Sequence, residues 1–272
     1  MNMKIGVFDS GFGGLSILKA MTAVLPEYDY VYLGDSARAP YGNHSHDIIY
    51  DYTKQAVAYL FAQDCDLVIL ACNTASAQAL RRLQQEWLPT MGGNKRVLGV
   101  VRPIAEEVQR VGKGKKIAVI GTRATIAAKA YTKEIQAVLG ADTKVIEQAC
   151  PLLVPLIEEG FHKRAETKMI LRSYLRPLKN AEVNVLVNGC THYELIRKAI
   201  VGVMGKRVQV IDSPKVVAQS LADYLKRHPE MESALSRGKS VRFLTTDKNN
   251  QFDQLATRFY GQSVKAERVV LT

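Results

Sequence analysis

Residues 67–74 read LVILACNT, and residues 185–192 read VLVNGCTH. Each opens as a short aliphatic run with no polar alternation, the pattern of a parallel strand covered on both faces. Each then passes through a small residue and a cysteine, Cys72 or Cys190, into a polar turn carrying Thr74 or Thr191. Parallel sheets gather their ligands at the carboxyl ends of the strands. Two matched copies therefore predict two α/β domains, each presenting one thiol at the carboxyl edge of its sheet.

Working outward from these stretches, strand-length apolar runs recur at 4–8, 28–33, 67–71, 96–101, 116–120, 143–147, 183–187, 207–211 and 240–244, with a last short one at 269–271. Helical periodicity fills 16–25, 46–62, 75–86, 126–139, 164–178, 193–204 and 215–227. This alternation predicts an α/β fold of two similar doubly wound, mostly parallel-sheet domains, with the functional site in the cleft between them. The turn Met91-Gly92-Gly93-Asn94 marks a first crossover and Gly205 a second. On that reading 1–95 with 207–272 form the first domain and 96–206 the second.

Composition narrows the class. With 47% hydrophobic and 23% charged residues among 272, the chain is globular rather than disordered or fibrous. No apolar run approaches the ~20 residues that span a bilayer. The opening MNMKIGVFDSG passes straight into a strand with no signal-peptide apolar region, so a cytoplasmic placement is expected. The four cysteines (Cys65, Cys72, Cys150, Cys190) form no CxxC pair, which argues against a zinc ribbon, a thioredoxin-type site or a disulfide scaffold. His44, His46 and His162 show no ligand spacing either, and no metal site is expected.

The net charge of +11 is uneven. Residues 1–100 carry 8 Lys and Arg against 9 Asp and Glu, whereas 101–272 carry 29 against 17. A basic half can steer anions or nucleic acid. Its lysines are scattered and lack interleaved aromatics, so a solvated surface is the favoured reading and binding of nucleic acid is not expected.

Three further segments sit at strand ends. Asp9-Ser10-Gly11-Phe12-Gly13-Gly14 opens the first helix and allows close backbone approach. In residues 34–42, GDSARAPYG, Pro40 and Gly42 fix a turn that makes Tyr41 a pocket wall. His192, two residues past Cys190, is placed to exchange a proton with a neighbouring thiol, and one of Glu158 and Glu159 is placed to face a cleft. A thiol at a strand-to-helix turn gains from nearby N–H groups and the helix dipole. Cys65 and Cys150 lack that setting and are read as core.

Taken in order, DSGFGG (9–14), GDSARAPYG (34–42), ACNTAS (71–76), ACPLLVPLIEEG (149–160) and GCTHY (189–193) resemble the glutamate racemase family, cofactor-independent enzymes of bacterial cell-wall precursor synthesis. The correspondence runs from residue 4 to about 213. The family usually reads LGCTHYP; here Asn188 precedes Gly189, Glu194 replaces the proline, and Pro214 stands where glycine is common. The resemblance implies interconversion of L- and D-glutamate by two bases, with no cofactor. It implies Cys72 assisted by Asp9, and Cys190 assisted by His192 with Glu158. It further implies that Asp9, Ser10, Asn73, Thr74, Thr191 and His192, with the Tyr41–Gly42 backbone, hold the substrate.

The chemistry suits such residues, because inverting Cα takes a proton from one face and delivers one to the other. Competing readings are an aspartate racemase-like enzyme, a Cys190–His192 thiol hydrolase, which leaves Cys72 unexplained, and a basic interaction protein that binds DNA or gyrase. A pyridoxal phosphate racemase is disfavoured, since nothing marks a Schiff-base lysine. A homodimer is kept as an option.

Overall fold

The computed structural model describes residues 3–248 and 250–271. Among these residues, ten strands form two sheets. The first has the order β10-β9-β2-β1-β3-β4 and the second β6-β5-β7-β8, and every pairing is parallel. The strands are β1 (Ile5–Asp9), β2 (Tyr30–Gly34), β3 (Leu67–Leu70), β4 (Arg96–Gly99), β5 (Ile117–Gly121), β6 (Val145–Ala149), β7 (Val185–Gly189), β8 (Gln209–Val210), β9 (Val241–Thr245) and β10 (Glu267–Arg268). Those at the sheet centres, β1, β2, β3, β5 and β7, are buried throughout, which is why they read as unbroken apolar runs.

In both sheets the winding reverses at the same place. The neighbours β1 and β3 continue in opposite directions, and so do β5 and β7. Loops leaving the carboxyl ends of such a pair diverge and open a crevice, the switch point where doubly wound sheets hold ligands. Asp9 ends β1 and Cys72 follows β3; Gly121 ends β5 and Cys190 follows β7. The two halves thus deliver their thiols from equivalent positions.

Two sheet memberships differ from the expected partition. Arg96–Gly99 extends the first sheet beside β3, and Gln209–Val210 extends the second beside β7. Each strand completes the sheet it leaves before the chain crosses, so the crossovers come after these strands. The last strand also falls earlier than expected, at Glu267–Arg268, with the Val269 N–H still donating to Thr245 O at 2.8 Å.

Helices Val101–Gly112 and Asn250–Tyr260 lie where no helix was read. Both are amphipathic at helical spacing: Val101, Ile104, Ala105 and Val108 are buried in one, and Phe252, Leu255, Ala256 and Phe259 in the other. The stretch expected as one helix over 126–139 is broken at Lys129, whose φ of 54° is left-handed. The stretch over 75–86 likewise breaks after Gln78.

One apolar core runs through both domains, because helices Leu15–Val24, Val101–Gly112 and Ser213–Arg227 pack together between the sheets. At the crevice the halves approach so closely that a Cβ on Gly13 would lie 2.3 Å from Thr191 Oγ1. Beneath the glycine loop, the buried Tyr32 hydroxyl donates to Gly11 O at 2.9 Å. Tyr32→Phe removes that donor from a buried carbonyl and should cost about 1–2 kcal/mol, a fall in Tm of roughly 2–6 °C by calorimetry. An unchanged Tm would show that the loop does not depend on this prop.

Candidate active site

The loops from both switch points converge on one cleft. Ser10, Tyr41, Gly42, Cys72, Asn73, Thr74, Glu158, Cys190, Thr191 and His192 border it, with Thr122 and Val154. Asp9 lies fully buried beneath its floor. Within roughly 350 Å³ of unfilled space, only room for about one water molecule stands clear of the walls, so a ligand of amino-acid size requires the walls to part.

On the first-domain side, Cys72 Sγ accepts from the Ala75 N–H at 3.4 Å and lies 3.3 Å from Ser10 Oγ. Burial pushes this thiol up to about 12, and the Asp9 charge adds to the rise, although both hydrogen bonds favour the thiolate. Cys72 therefore holds its proton at neutral pH. Asp9 accepts from the Gly11 N–H at 3.0 Å and from Thr191 Oγ1 at 3.3 Å. Burial raises its carboxyl, while the His192 charge and hydrogen bonds from Gly14, Gly11 and Thr191 pull it back. Asp9 thus acts on Cys72 through charge, and its side-chain hydrogen bond crosses to the second domain.

On the facing side, His192 Nε2 donates to Glu158 Oε1 at 2.9 Å. Phe259 packs edge-on against the imidazole at 5.4 Å. Burial would strip the ring of its proton, but hydrogen bonds and charges from Cys190 and Glu158 outweigh it and bring His192 up to about 10. Glu158 is the carboxylate paired with the ring, and the adjacent Glu159 is exposed.

The remaining expected residues are held by their neighbours. The Tyr41 hydroxyl donates to Asp35 Oδ2 at 2.5 Å, and Tyr41 and Gly42 both border the cleft. Asn73 Oδ1 accepts from the Tyr131 hydroxyl at 2.5 Å. Thr74 Oγ1 stands 3.0 Å from both Thr122 Oγ1 and Thr125 Oγ1, a buried hydroxyl cluster that joins the two domains. Thr122 was missed in the sequence. Its signal was there, since IAVIGT is a third buried strand running into a polar turn. Cys65 and Cys150 are buried away from the cleft, and burial pushes each up to about 12. Among the described residues, no three His, Cys, Asp or Glu gather in a way that could hold a metal ion.

Residues 13–221 match the family described as Asp/Glu/hydantoin racemase. The chain belongs to that family. It is 42% identical to a glutamate racemase from Paracoccus denitrificans over 97% of this chain and 99% of that one. Among solved structures, glutamate racemase isoform RacE1 from Bacillus anthracis superposes with a TM-score of 0.89 at 31% identity, covering 99% of this chain and 98% of the other. A Francisella tularensis glutamate racemase in complex with D-glutamate gives 0.88, with the same identity and coverage. These proteins share the racemase fold over its whole length, and the crevice described above belongs to a family of amino-acid isomerases.

The His192 value carries a pH dependence. Its folded value lies above the 6.5 of a free imidazole, so the contact stabilises the fold fully below pH 6.5 and is lost as the pH rises through 10. Ring ¹⁵N resonances of His192 should stay those of an imidazolium to above pH 9, and Glu158→Gln should lower the midpoint. A ring that titrates near 6.5 would contradict the pairing.

Proposed function

We propose that this chain interconverts L- and D-glutamate without a cofactor, using Cys72 and Cys190 as the two proton-transfer groups. The observation that carries the reading is the placing of these two thiols, one from each sheet's switch point, in the walls of one cleft. A planar carbanion at Cα between them can be reached from either face. One sulfur takes the Cα proton as the other delivers its own, and the configuration inverts.

The surroundings suit these tasks. Only a thiolate can act as the base, and an imidazolium beside a sulfur favours its negative form. His192, its ring held charged by Cys190 and Glu158, stands on the Cys190 side of the cleft. Cys72 holds its proton and is therefore the donor in this direction. Ser10 Oγ and the Ala75 N–H stabilise the thiolate left at Cys72, which is the base when the reaction runs the other way. Asn73, Thr74, Thr122 and Thr191, with the Tyr41–Gly42 backbone, offer the donors and acceptors that the substrate's ammonium and carboxylates need. Glutamate is favoured over aspartate by the relatives named above. The product would serve peptidoglycan synthesis in the cytoplasm, and no described helix is long and apolar enough to cross a membrane.

Cys72→Ser and Cys190→Ser should each lower racemisation by about 10³-fold or more, since a hydroxyl is a far weaker acid and base near neutrality. Each should also retain Cα hydrogen exchange of only one enantiomer, opposite in the two variants. Wild-type turnover in either variant would overturn the two-thiol assignment.

A further inference from the structure

Next to the cleft, and sharing Asn73, Cys190 and Thr191 with its walls, lies a second and smaller cavity. Asn73, Asn188, Cys190, Thr191, Glu194 and Ser213 supply its polar wall, and it has room for about one water molecule. Asn188 is 1% exposed; its Nδ2 donates to Glu194 Oε1 at 3.4 Å. Its Oδ1 is buried with no hydrogen-bond partner, an acceptor that a bound water would satisfy. Glu194 borders the cavity, and its side chain keeps 13% exposure to solvent.

A racemase with two bases ends each turnover in the opposite protonation state from the one in which it began. A thiolate that has taken the Cα proton is now a thiol, and it must lose that proton before it can act on the same enantiomer again. The geometry points to Glu194 as the positioning residue of a proton outlet for Cys190, working through a water in this cavity. In that step the Cys190 S–H bond breaks and its proton passes to the water. A proton of the water passes to the Glu194 carboxylate, and the negative charge moves from carboxylate to sulfur. Glu194 then releases its proton to solvent.

The groups that face Glu194 suit that traffic. Burial pushes the carboxyl up to about 7 against the pull of Asn188 and Arg197, and the Asp212 charge adds to the rise. Arg197 Nε stands 3.8 Å from Glu194 Oε2, beyond hydrogen-bond reach.

This inference rests on the two-thiol reading, and its test is separable from it. Resetting the free enzyme limits kcat but not kcat/KM. Glu194→Gln, which keeps the shape and loses the titration, should therefore lower kcat by about tenfold or more and leave kcat/KM within about twofold. Small carboxylate buffers such as formate should partly restore kcat, and Glu194→Asp should retain most of it. An unchanged kcat in Glu194→Gln, or an equal fall in kcat and kcat/KM that formate does not relieve, would overturn the outlet. Wild-type activity in Cys190→Ser would instead refute the two-thiol reading itself.

Discussion

Everything in this molecule follows from bringing two parallel-sheet switch points face to face. A parallel sheet concentrates its loops, helix N-termini and unsatisfied N–H groups at one edge. Turning two such edges toward each other encloses the convergent polar groups in a common apolar shell. The Thr191–Asp9 hydrogen bond and the Thr74–Thr122–Thr125 hydroxyl cluster fasten the halves where they meet. Gly13 permits the approach, for any side chain there would collide with Thr191 and the His192 backbone.

Enclosure determines the electrostatics. Removal from water penalises every charged form, so Cys72 keeps its proton and the Asp9 carboxyl is raised. Against that trend stands one compensated pair, the His192 ring held by Glu158 and Cys190. The two sulfurs lie at equivalent topological positions but in unlike surroundings, one beside hydroxyl and amide donors, the other beside a cation.

Much of this was legible in the sequence. The LVILACNT and VLVNGCTH repeat carried the two-domain plan, because a doubly covered strand leaves an unbroken apolar run. The glycine loop and the GCTHY turn carried most of the cleft. The sequence did not disclose which sheet β4 and β8 join, since a short edge strand has the same composition on either side of a crossover. Thr122 was missed because its turn holds no thiol or imidazole to draw attention. The Asp9–Thr191 bond and the Phe259 contact with His192 were invisible for a different reason. They join residues 182 and 67 positions apart, and only the tertiary fold decides such pairs. Helix Asn250–Tyr260, which carries Phe259, does have regular apolar spacing in the sequence, with Phe252, Leu255, Ala256 and Phe259 on one face.

The central claim is that two distinct groups act on opposite faces of Cα, and isotope placement during a single passage tests it most directly. L-Glutamate is turned over in deuterium oxide by the purified protein with no added cofactor, and both enantiomers are recovered at low conversion. The account predicts D-glutamate carrying deuterium at Cα, because its proton comes from a solvent-exchanged thiol, together with residual L-glutamate that is still protiated. Deuterium appearing equally in the recovered L-glutamate, or D-glutamate retaining the original proton, would mean that one group serves both faces and would contradict the account.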